Sequence, residues 1–467
     1  MGGAWQGEPA DAVHNPATGE EIVRVPSLGA DGARAAIAVA REAFGGWSAL
    51  TGRERGAVLR RWAGLLRDNV EDLARILTAE QGKPLAEARS EIASAAGYFE
   101  FFAEEAARVG GEIIQAPRRD SRILVQYRPI GVVAAITPWN FPVSMVARKL
   151  APALAAGCTL VLKPAPETPL SALAMAELGL RAGLPAGALN VVTGNAAAIG
   201  AVLTGHDDVA FISFTGSTAV GRLLMAQSAP TIKKLGLELG GHAPFIVLED
   251  ADLDAAVAGA FAAKFRNMGQ TCVCPNRFFV HESLHAAFLD RLVERAGELA
   301  VGDGAQDGVT QGPLIDVQAV AKVERHLADA VTAGARILAG GRRHALGGNY
   351  FEPTVLDGVT DAMLVAREET FGPVAPVTAF ANIEQVLASA NASPYGLAAY
   401  IYGRDLGRVL PLAERLDYGM VGINAIHLGL EMAPIGGLKQ SGLGREGSSH
   451  GLLEYCEMQY LLLGVEA

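Results

Sequence analysis

Short apolar strands alternate with helical segments through the middle of this 467-residue chain. From Gly131 the order is the strand VVAAIT, a helix through MVARKLAPALAAG, the strand TLVLK, a helix from Thr168, and the strands LNVVT and AFISFTG. Strands and helices at this spacing are typical of a parallel, doubly wound α/β sheet. Such a sheet binds ligands at the carboxyl ends of its strands, where we expect the functional site.

A second α/β domain is expected after Gly240. Strand-like segments recur there between amphipathic helices, as RFFVH, ARILAG, FGPVAPVTAF, AAYIYG and YGMVGIN. Two further strand-like segments, RILVQYRPI and EMQYLLLGV, belong to neither series. They are expected to form an edge or an arm between subunits, which predicts a homodimer or homotetramer.

The first 110 residues are predicted to be mainly helical. The clearest helix runs from Glu91 to Val109. Its apolar residues at helical spacing are Ile92, Ala96, Phe99, Ala103 and Ala106. This face is expected to belong to the core rather than to a ligand site.

The composition excludes several classes of protein. Four cysteines in so long a chain cannot form a disulfide framework, which indicates a reducing compartment. A net charge of −11 and dispersed basic residues argue against nucleic-acid binding. The sequence has no uninterrupted apolar stretch of about 18 residues, so no membrane helix is predicted. The start of the chain does not resemble a secretory signal. We therefore expect a cytoplasmic protein without nucleic-acid or membrane partners.

The segment GQTCVCP places Cys272 on a turn bounded by Gly269 and Pro275, after the alanine-rich run AAVAGAFAAKFRN. A nearby helix terminus or cation would favour the thiolate, which makes Cys272 a candidate nucleophile. The alternative is a buried structural thiol. Neighbouring motifs must decide between the two.

Two other segments offer groups for the same chemistry. LELGGHAP places Glu238 at a predicted strand end before two glycines, where a carboxylate is a candidate general base. PWNFP holds Asn140 between Pro138 and Pro142 after VVAAIT, so its amide is a candidate donor to an oxyanion. Alternatively, Asn140 caps the following helix.

FTGSTAVG places a glycine, Ser217 and Thr218 where a strand turns into a helix, so backbone N–H groups can hold a phosphate. The lysine of a nucleotide-hydrolysing P-loop is replaced by Arg222, and no G-x-G-x-x-G follows the strand. The segment therefore predicts a phosphate site that is neither a P-loop nor the standard dinucleotide-binding fingerprint.

The motifs PWNFP, KPAPETP, FTGS, ELGG, GQTC, EETFGPV and PIGGLKQSGLGRE occur in the order and at nearly the separations of the aldehyde dehydrogenase superfamily. The chain resembles this superfamily over essentially its whole length, and within it the succinate-semialdehyde dehydrogenase group. The resemblance implies an aldehyde dehydrogenase-like α/β fold. Residues 1–110 and 130–240 would form an NAD(P)-binding domain, residues 241–445 a catalytic domain, and residues 111–129 and 446–467 an oligomerisation arm.

The resemblance also implies the roles of the catalytic residues. Cys272 would attack an aldehyde to give a thiohemiacetal whose oxyanion rests on the Asn140 amide. After hydride transfer to NAD or NADP, water activated by Glu238 would hydrolyse the thioester. Lys149 and Glu446 match a proton relay, with a structural ion pair as the alternative.

Cofactor binding is implied for Ile136, Trp139, Lys163, Gly216, Ser217, Glu369 and Phe371. Many NAD-specific members carry a glutamate three residues after the lysine that matches Lys163, but this chain has Pro166 there, with Glu167 displaced by one position. Without that carboxylate, a 2′-phosphate is not repelled. We therefore expect that NADP is accepted.

For the substrate, Arg148 and Arg266 match the arginines that hold the distal carboxylate of succinate semialdehyde. This predicts a small ω-oxo acid as the substrate. Gly429 or Leu430 stands where the group usually has a serine, and His427 is a candidate substitute. The alternative substrate is a different semialdehyde, or a neutral or aromatic aldehyde. The alternative for either arginine is that it faces solvent or pairs with a protein acid.

Cys274 follows the candidate nucleophile by two positions and suggests a reversible redox pair with Cys272. The two residues meet only if the loop bends, because an extended segment holds their Cα atoms near the bridging limit of roughly 7 Å.

Two rival interpretations remain. His281-Glu282-Ser283-Leu284-His285 matches the H-E-x-x-H signature of zinc hydrolases, which requires both histidines on one face of a helix. His281 is expected to close a strand and Ser283 to cap the next helix, so no metal site is predicted. The second rival is a scaffold without catalysis, which the presence of Cys272, Glu238 and Asn140 argues against.

Overall fold

The computed structural model describes residues 1–465, so the last two residues of the predicted arm segment 446–467 lie outside the described residues. In chain order the strands are β1 (Pro9–His14), β2 (Glu21–Pro26), β3 (Gly111–Ile114), β4 (Ser121–Pro129), β5 (Val132–Ile136), β6 (Thr159–Lys163), β7 (Leu189–Val191), β8 (Val209–Thr215), β9 (Lys234–Glu238), β10 (Ala243–Val247), β11 (Pro275–His281), β12 (Arg336–Ala339), β13 (Thr354–Asp357), β14 (Val374–Phe380), β15 (Tyr395–Gly396), β16 (Ala398–Tyr402), β17 (Met420–Ile423), β18 (Leu438–Lys439), β19 (Gly442–Leu443) and β20 (Cys456–Gly464). The helices are α1 (Gly29–Ser48), α2 (Gly52–Asp68), α3 (Val70–Gln81), α4 (Leu85–Glu105), α5 (Ser144–Ala156), α6 (Pro169–Arg181), α7 (Ala196–Gly205), α8 (Thr218–Ser228), α9 (Leu253–Phe265), α10 (Glu282–Gly297), α11 (Val317–Thr332), α12 (Leu364–Arg367), α13 (Ile383–Asn391), α14 (Leu406–Glu414) and α15 (Ser448–Leu453). None of these helices is both long and apolar enough to span a bilayer.

The predicted doubly wound sheet is present as a six-stranded sheet in the order β19-β9-β8-β5-β6-β7. Its strands run parallel except β19, which pairs antiparallel with β9. Every residue of β5 and β6 is buried, as expected of a parallel sheet covered on both faces. Helices α1 and α5 pack against these two strands. The α/β fold class is therefore confirmed.

The second α/β unit is a seven-stranded sheet in the order β12-β13-β14-β11-β10-β16-β17. All the strand-like segments predicted after Gly240 are found in it, and β10 and β13 are additional. β10 lies between β11 and β16, yet its sequence, APFIV, contains Pro244, which weakens a strand prediction. A register shift at Ala243 and Pro244 accommodates the proline, and pairing with β16 starts at Phe245.

The first 110 residues contain helices α1 to α4, as predicted, together with the antiparallel hairpin β1–β2, which was not predicted. Both hairpin strands are mostly exposed, so the alternating apolar pattern of a half-buried strand is weak. The apolar face of α4 is buried, with Ile92 and Phe99 fully inaccessible. The helix itself begins at Leu85 and ends at Glu105, rather than running from Glu91 to Val109.

A separate three-stranded antiparallel sheet has the order β20-β4-β3. It pairs the two segments RILVQYRPI and EMQYLLLGV with each other, from Cys456 opposite Pro129 to Gly464 opposite Ser121. Apolar side chains of β20 at alternating positions are exposed, namely Met458 (64%), Tyr460 (59%) and Leu462 (59%). This sheet therefore presents an apolar stripe on its outer face.

Candidate active site

Cys272 follows a sharp turn between α9 and β11. Asn267, Met268 and Gly269 have φ angles of 49°, 56° and 72°, so three consecutive residues are left-handed. A Cβ at Gly269 would lie 2.1 Å from the carbonyl oxygen of Gly372, so this position requires glycine. The turn leaves Cys272 partly exposed, whereas Cys274 is buried.

Two cavities meet at Cys272. The smaller, of about 350 Å³, brings together the predicted site residues Trp139, Asn140, Gly216, Ser217, Glu238, Glu369 and Phe371. The larger, of about 620 Å³, brings together the predicted site residues Arg148, Arg266 and His427. Ile136 and Lys163 do not line either cavity but end the neighbouring strands β5 and β6. Lys322 of α11 also lines the smaller cavity, and no sequence motif marks it.

The segment from β8 to α8 has the geometry of a phosphate site. Ser217 is the N-cap of α8 and accepts a hydrogen bond from the Val220 N–H at 3.3 Å. A Cβ at Gly216 would lie 2.4 Å from the Phe214 ring, so a side chain is excluded there. The first N–H groups of a helix are free to bind an anion. The cavity above this helix terminus therefore offers a nucleotide a phosphate site, and it also contains the rings of Trp139 and Phe371, set edge to face at 5.5 Å.

Asn140 does not cap a helix, since α5 begins only at Ser144 with Val143 as its N-cap. Its side-chain Nδ2 instead donates to the carbonyl oxygen of Gln270 at 3.0 Å. The amide is thus tied to the loop that carries Cys272.

Glu238 is buried at the end of β9, and its Oε1 has no hydrogen-bond partner among the described residues. Burial raises the pKa of Glu238 well above its usual value, and the Glu446 carboxylate adds to this effect. A Cβ at Gly241 would lie 2.2 Å from the Cys272 carbonyl oxygen, so the ELGG turn touches the cysteine loop. A carboxylate with a raised pKa beside a thiol suits a general base near neutral pH.

Lys149 and Glu446 form a buried ion pair with Nζ and Oε1 2.6 Å apart. Lys149 also donates to Ser213 Oγ at 3.2 Å. The contact between Lys149 and Glu446 is consistent both with a proton relay and with a purely structural ion pair. Because Glu446 influences the pKa of Glu238, the pair is electrostatically connected to that carboxylate.

Burial raises the pKa of the Cys272 thiol to about 12, while the Arg148 guanidinium opposes this shift. The cation that we expected beside the thiol is therefore present, but it does not outweigh desolvation. In the ligand-free protein the thiol is protonated at neutral pH. Attack on a carbonyl consequently requires a group that removes this proton.

Neither arginine of the larger cavity forms an ion pair within 4 Å in residues 1–465, but Glu87 also lines this cavity, and the Arg266 guanidinium opposes the burial that raises the pKa of Glu87. The Arg148 guanidinium lies 5.3 Å from the centre of the Tyr98 ring, and the exposed Arg266 lies 5.1 Å from that of Phe141. A Cβ at Gly429 would be 2.9 Å from Arg148 Nη2, so a larger residue there would displace the guanidinium. His427 is exposed in the same cavity.

The residues of the rival interpretations lie elsewhere. Cys274 Sγ contacts the Lys264 carbonyl oxygen at 3.5 Å, inside the fold. His281 closes β11 and caps α10, so the prediction that Ser283 is the cap was wrong: the His281 ring accepts from the Ser283 N–H and leaves that serine inside the first turn. His285 instead pairs with Asp357 at 3.1 Å. In the part of the chain that the structure describes, no group of three or more His, Cys, Asp or Glu side chains is arranged to hold a metal ion.

Comparison with known proteins agrees with this geometry. Residues 5–461 match the aldehyde dehydrogenase family. A 3-sulfolactaldehyde dehydrogenase from Pseudomonas putida is 57% identical, over 97% of this chain and 93% of the relative. An NADP(+) succinate-semialdehyde dehydrogenase from Escherichia coli K12 is 54% identical, over 100% of this chain and 97% of the relative. The crystal structure of a succinate-semialdehyde dehydrogenase from Burkholderia pseudomallei, 57% identical, has a TM-score of 0.98 and covers 100% of this chain and 97% of that one. The resemblance drawn from the motifs is confirmed, and the chain belongs to the aldehyde dehydrogenase family.

Proposed function

We propose that this protein oxidises an ω-oxo acid such as succinate semialdehyde to the carboxylate, with NAD or NADP as the hydride acceptor. The observation that carries the proposal is the position of Cys272 at the junction of two cavities. One cavity offers a phosphate site at a helix terminus, and the other contains two arginines that form no ion pair within 4 Å among the described residues, with Glu87 as the acidic residue of its lining. A substrate carboxylate held there would place its aldehyde end near the thiol.

In the first half-reaction, Cys272 loses its proton to Glu238, directly or through a water molecule, and its sulfur attacks the aldehyde carbon. The carbonyl oxygen becomes an oxyanion, and the Asn140 amide donates to it, which lowers the barrier. A bound nicotinamide would supply the hydride acceptor that this oxidation needs. This cofactor would be held by residues that line the smaller cavity and by two at the neighbouring strand ends. They are Trp139, Gly216, Ser217, Glu369 and Phe371, with Ile136 and Lys163.

In the second half-reaction, Glu238, which has by then released the thiol proton, takes a proton from water, and the resulting hydroxide attacks the thioester carbon. The carbon–sulfur bond breaks, the acid leaves, and the thiolate of Cys272 regains a proton. Glu446 and Lys149 are proposed to relay the proton from Glu238 away from the cavity. Their 2.6 Å contact and their influence on Glu238 support this role.

We propose that NADP is accepted, because Pro166 leaves no carboxylate at the position that would repel a 2′-phosphate. Lys163 Nζ donates to the Pro164 carbonyl oxygen at 2.7 Å, which keeps its charge at this edge of the sheet. The relative named as NADP(+)-dependent supports the proposal. Activity with NADP at a rate comparable to NAD would agree with it, whereas no activity with NADP would refute it.

The substrate class is tested by initial rates with succinate semialdehyde and with a neutral aldehyde of similar length. We expect the carboxylated aldehyde to be favoured at least tenfold in kcat/KM, which is about 1.4 kcal/mol of transition-state discrimination. Arg266→Met should reduce this preference and leave the rate with the neutral aldehyde unaffected. Arg148→Met should reduce the preference and also slow the neutral aldehyde, because the Arg148 guanidinium lowers the pKa of Cys272. Cys272→Ala is the inactive control. Equal rates for both aldehydes in the parent protein would contradict the assignment of the arginines.

A second candidate is the same chemistry on a different anionic aldehyde. Gly429 offers no hydroxyl to a carboxylate, and the cavity of about 620 Å³ exceeds the needs of a four-carbon acid. The relative named as a 3-sulfolactaldehyde dehydrogenase supports this alternative. A higher kcat/KM for a longer or sulfonated aldehyde than for succinate semialdehyde would favour it.

We propose that residues 1–110 and 130–240 bind NAD(P) and that residues 241–445 form the catalytic domain. The cofactor cavity draws Trp139 and Gly216 from residues 130–240, and Cys272 comes from residues 241–445. We further propose that the segments 111–129 and 446–467, which supply the sheet β20-β4-β3, join subunits of a homodimer or homotetramer. The exposed stripe of Met458, Tyr460 and Leu462 supports this role. The four free cysteines support a cytoplasmic location.

A further inference from the structure

A fully buried ion pair lies beside the active site without lining either cavity. Lys83, between α3 and α4, and Glu91 of α4 have side chains that are 0% exposed, with Nζ and Oε2 2.5 Å apart. Burying two charges costs desolvation energy that the ion pair alone does not necessarily recover. The other contacts of the two side chains therefore indicate what the pair does.

Both side chains bond to the segment that contains Asn140. Lys83 Nζ donates to the Asn140 carbonyl oxygen at 2.9 Å and lies 3.9 Å from the centre of the Phe141 ring. Glu91 Oε1 accepts from the backbone N–H groups of Val143 at 2.9 Å and Ser144 at 3.1 Å. The pair thereby fixes the whole turn from Asn140 to the start of α5.

The cysteine loop reaches the same carbonyl from the other side. Asn267 Nδ2 donates to the Asn140 carbonyl oxygen at 2.9 Å, and its Oδ1 accepts from Gln81 Nε2 at 3.1 Å. Asn140 in turn donates its side-chain amide to Gln270 at 3.0 Å. One carbonyl thus receives a donor from the α3–α4 connection and another from the cysteine loop.

We propose that Lys83 and Glu91 are positioning residues that hold the Asn140 amide in register with Cys272. The inference rests on the proposed function, in which Asn140 donates to the oxyanion. Neither residue touches the substrate, so both act through Asn140. Displacing a catalytic group by about 1 Å can cost on the order of 100-fold in rate, and loss of either charge frees this turn to move.

A double-mutant cycle between Glu91→Gln and Asn140→Ala tests the proposal. Glu91→Gln keeps an oxygen that can accept from Val143 and Ser144 but removes the charge that Lys83 needs. We expect kcat to fall by about 10- to 100-fold in Glu91→Gln. In the Asn140→Ala background, the same change should reduce the residual kcat by less than about twofold, because the amide is already absent. The rate of Cys272 alkylation by iodoacetamide, which needs no oxyanion donor, should stay unchanged.

The control is Glu71→Gln, which breaks the exposed pair of Glu71 with Arg89 of α4 and should leave kcat unchanged. Thermal melts establish that each variant is folded, and Lys83→Met replaces Glu91→Gln in the cycle if the latter is not. An equal fall of kcat in both backgrounds, or no fall in either, would overturn the positioning role. Full activity of Asn140→Ala would instead refute the proposed function of Asn140 itself.

Discussion

The chemistry of Cys272 is governed by its surroundings rather than by its own sequence motif. Burial raises the pKa of its thiol to about 12, and the carboxylates of Glu369 and Glu238 act in the same direction. The Arg148 guanidinium opposes them most strongly, and a backbone hydrogen bond at Cys272 also lowers the thiol pKa. The resting thiol is therefore protonated, and Glu238, whose own pKa is raised and which lines the same cavity, is the candidate to accept the proton.

This environment predicts the pH dependence of alkylation in the cofactor-free protein. The thiolate is the reactive form, so the rate of Cys272 alkylation by iodoacetamide should rise about tenfold per pH unit between about pH 7 and pH 10, without a plateau. Arg148→Met should slow alkylation further, because it removes the opposing cation. The site is identified by peptide mass spectrometry. A plateau below about pH 9 would show an unshifted or lowered thiol pKa instead.

The redox pair of Cys272 and Cys274 remains a prediction. Cys274 is buried against the Lys264 carbonyl oxygen, so a disulfide would require the loop to turn this side chain outward. If the pair forms, inactivation by peroxide should be reversed by dithiothreitol in the parent protein and become irreversible in Cys274→Ala. Irreversible loss in the parent, or reversible loss in the variant, would disprove the pair.

At the residue scale, the motifs predicted which side chains surround the cavities, but not how they are held. Asn140 lines the same cavity as Cys272, and its contact with Gln270 depends on the left-handed turn at Asn267 and Met268. Asparagine is enriched at positive φ angles but methionine is not, so two consecutive left-handed residues at Asn267 and Met268 are not signalled by their sequence. Lys322 likewise lies on an ordinary amphipathic helix, and only the fold brings it into the smaller cavity.

Among the structural elements, the turn before Cys272 is the one most sensitive to substitution. Gly269→Ala combines a positive φ with a Cβ 2.1 Å from the Gly372 carbonyl oxygen. We expect the free energy of unfolding to fall by about 2 to 5 kcal/mol and kcat to fall as the cysteine loop shifts.

Gly334→Ala is the matched control, since Gly334 has a φ of 102° with no atom within 4 Å of an added Cβ. It should cost only about 1 to 2 kcal/mol, from backbone strain alone, and leave kcat unchanged. Urea unfolding and steady-state kinetics measure both variants. Equal costs in the two variants would show that the turn can relax away from Gly372.

The elements that could be predicted are those with an unambiguous pattern. β5 and β6 are continuous apolar runs between turn residues, which is how buried parallel strands are recognised. β10 was missed because Pro244 interrupts its pattern, and a register shift that only the sheet shows makes room for it. The hairpin β1–β2 was missed because it is too exposed to have such a pattern.

At the scale of the whole molecule, the strands β20-β4-β3 form a sheet separate from the two α/β sheets, and the outer face of this sheet presents an apolar stripe. Met458, Tyr460 and Leu462 alternate along β20 and are more than half exposed. An exposed apolar strand favours aggregation unless another surface, such as that of a second subunit, covers it.

Charges on this stripe should therefore disrupt the assembly. We expect Met458→Asp combined with Leu462→Asp to reduce the molar mass measured by light scattering, because two carboxylates cannot be buried unpaired in an interface. Val331→Asp, on an exposed apolar position of α11 (46% exposed), is the control and should leave the molar mass unchanged. An unaltered mass in the double variant would place the subunit interface elsewhere.

The central claim is that oxidation proceeds through a thioester on Cys272 that Glu238 helps to hydrolyse. The most direct measurement is peptide mass spectrometry of Glu238→Gln after mixing with succinate semialdehyde and NADP. The account predicts slow formation of one equivalent of reduced cofactor per site, because Glu238 also removes the thiol proton, and one succinyl group retained on the peptide that contains Cys272, absent from Cys272→Ala. Continuous turnover by Glu238→Gln without an adduct, or an adduct on another residue, would contradict it.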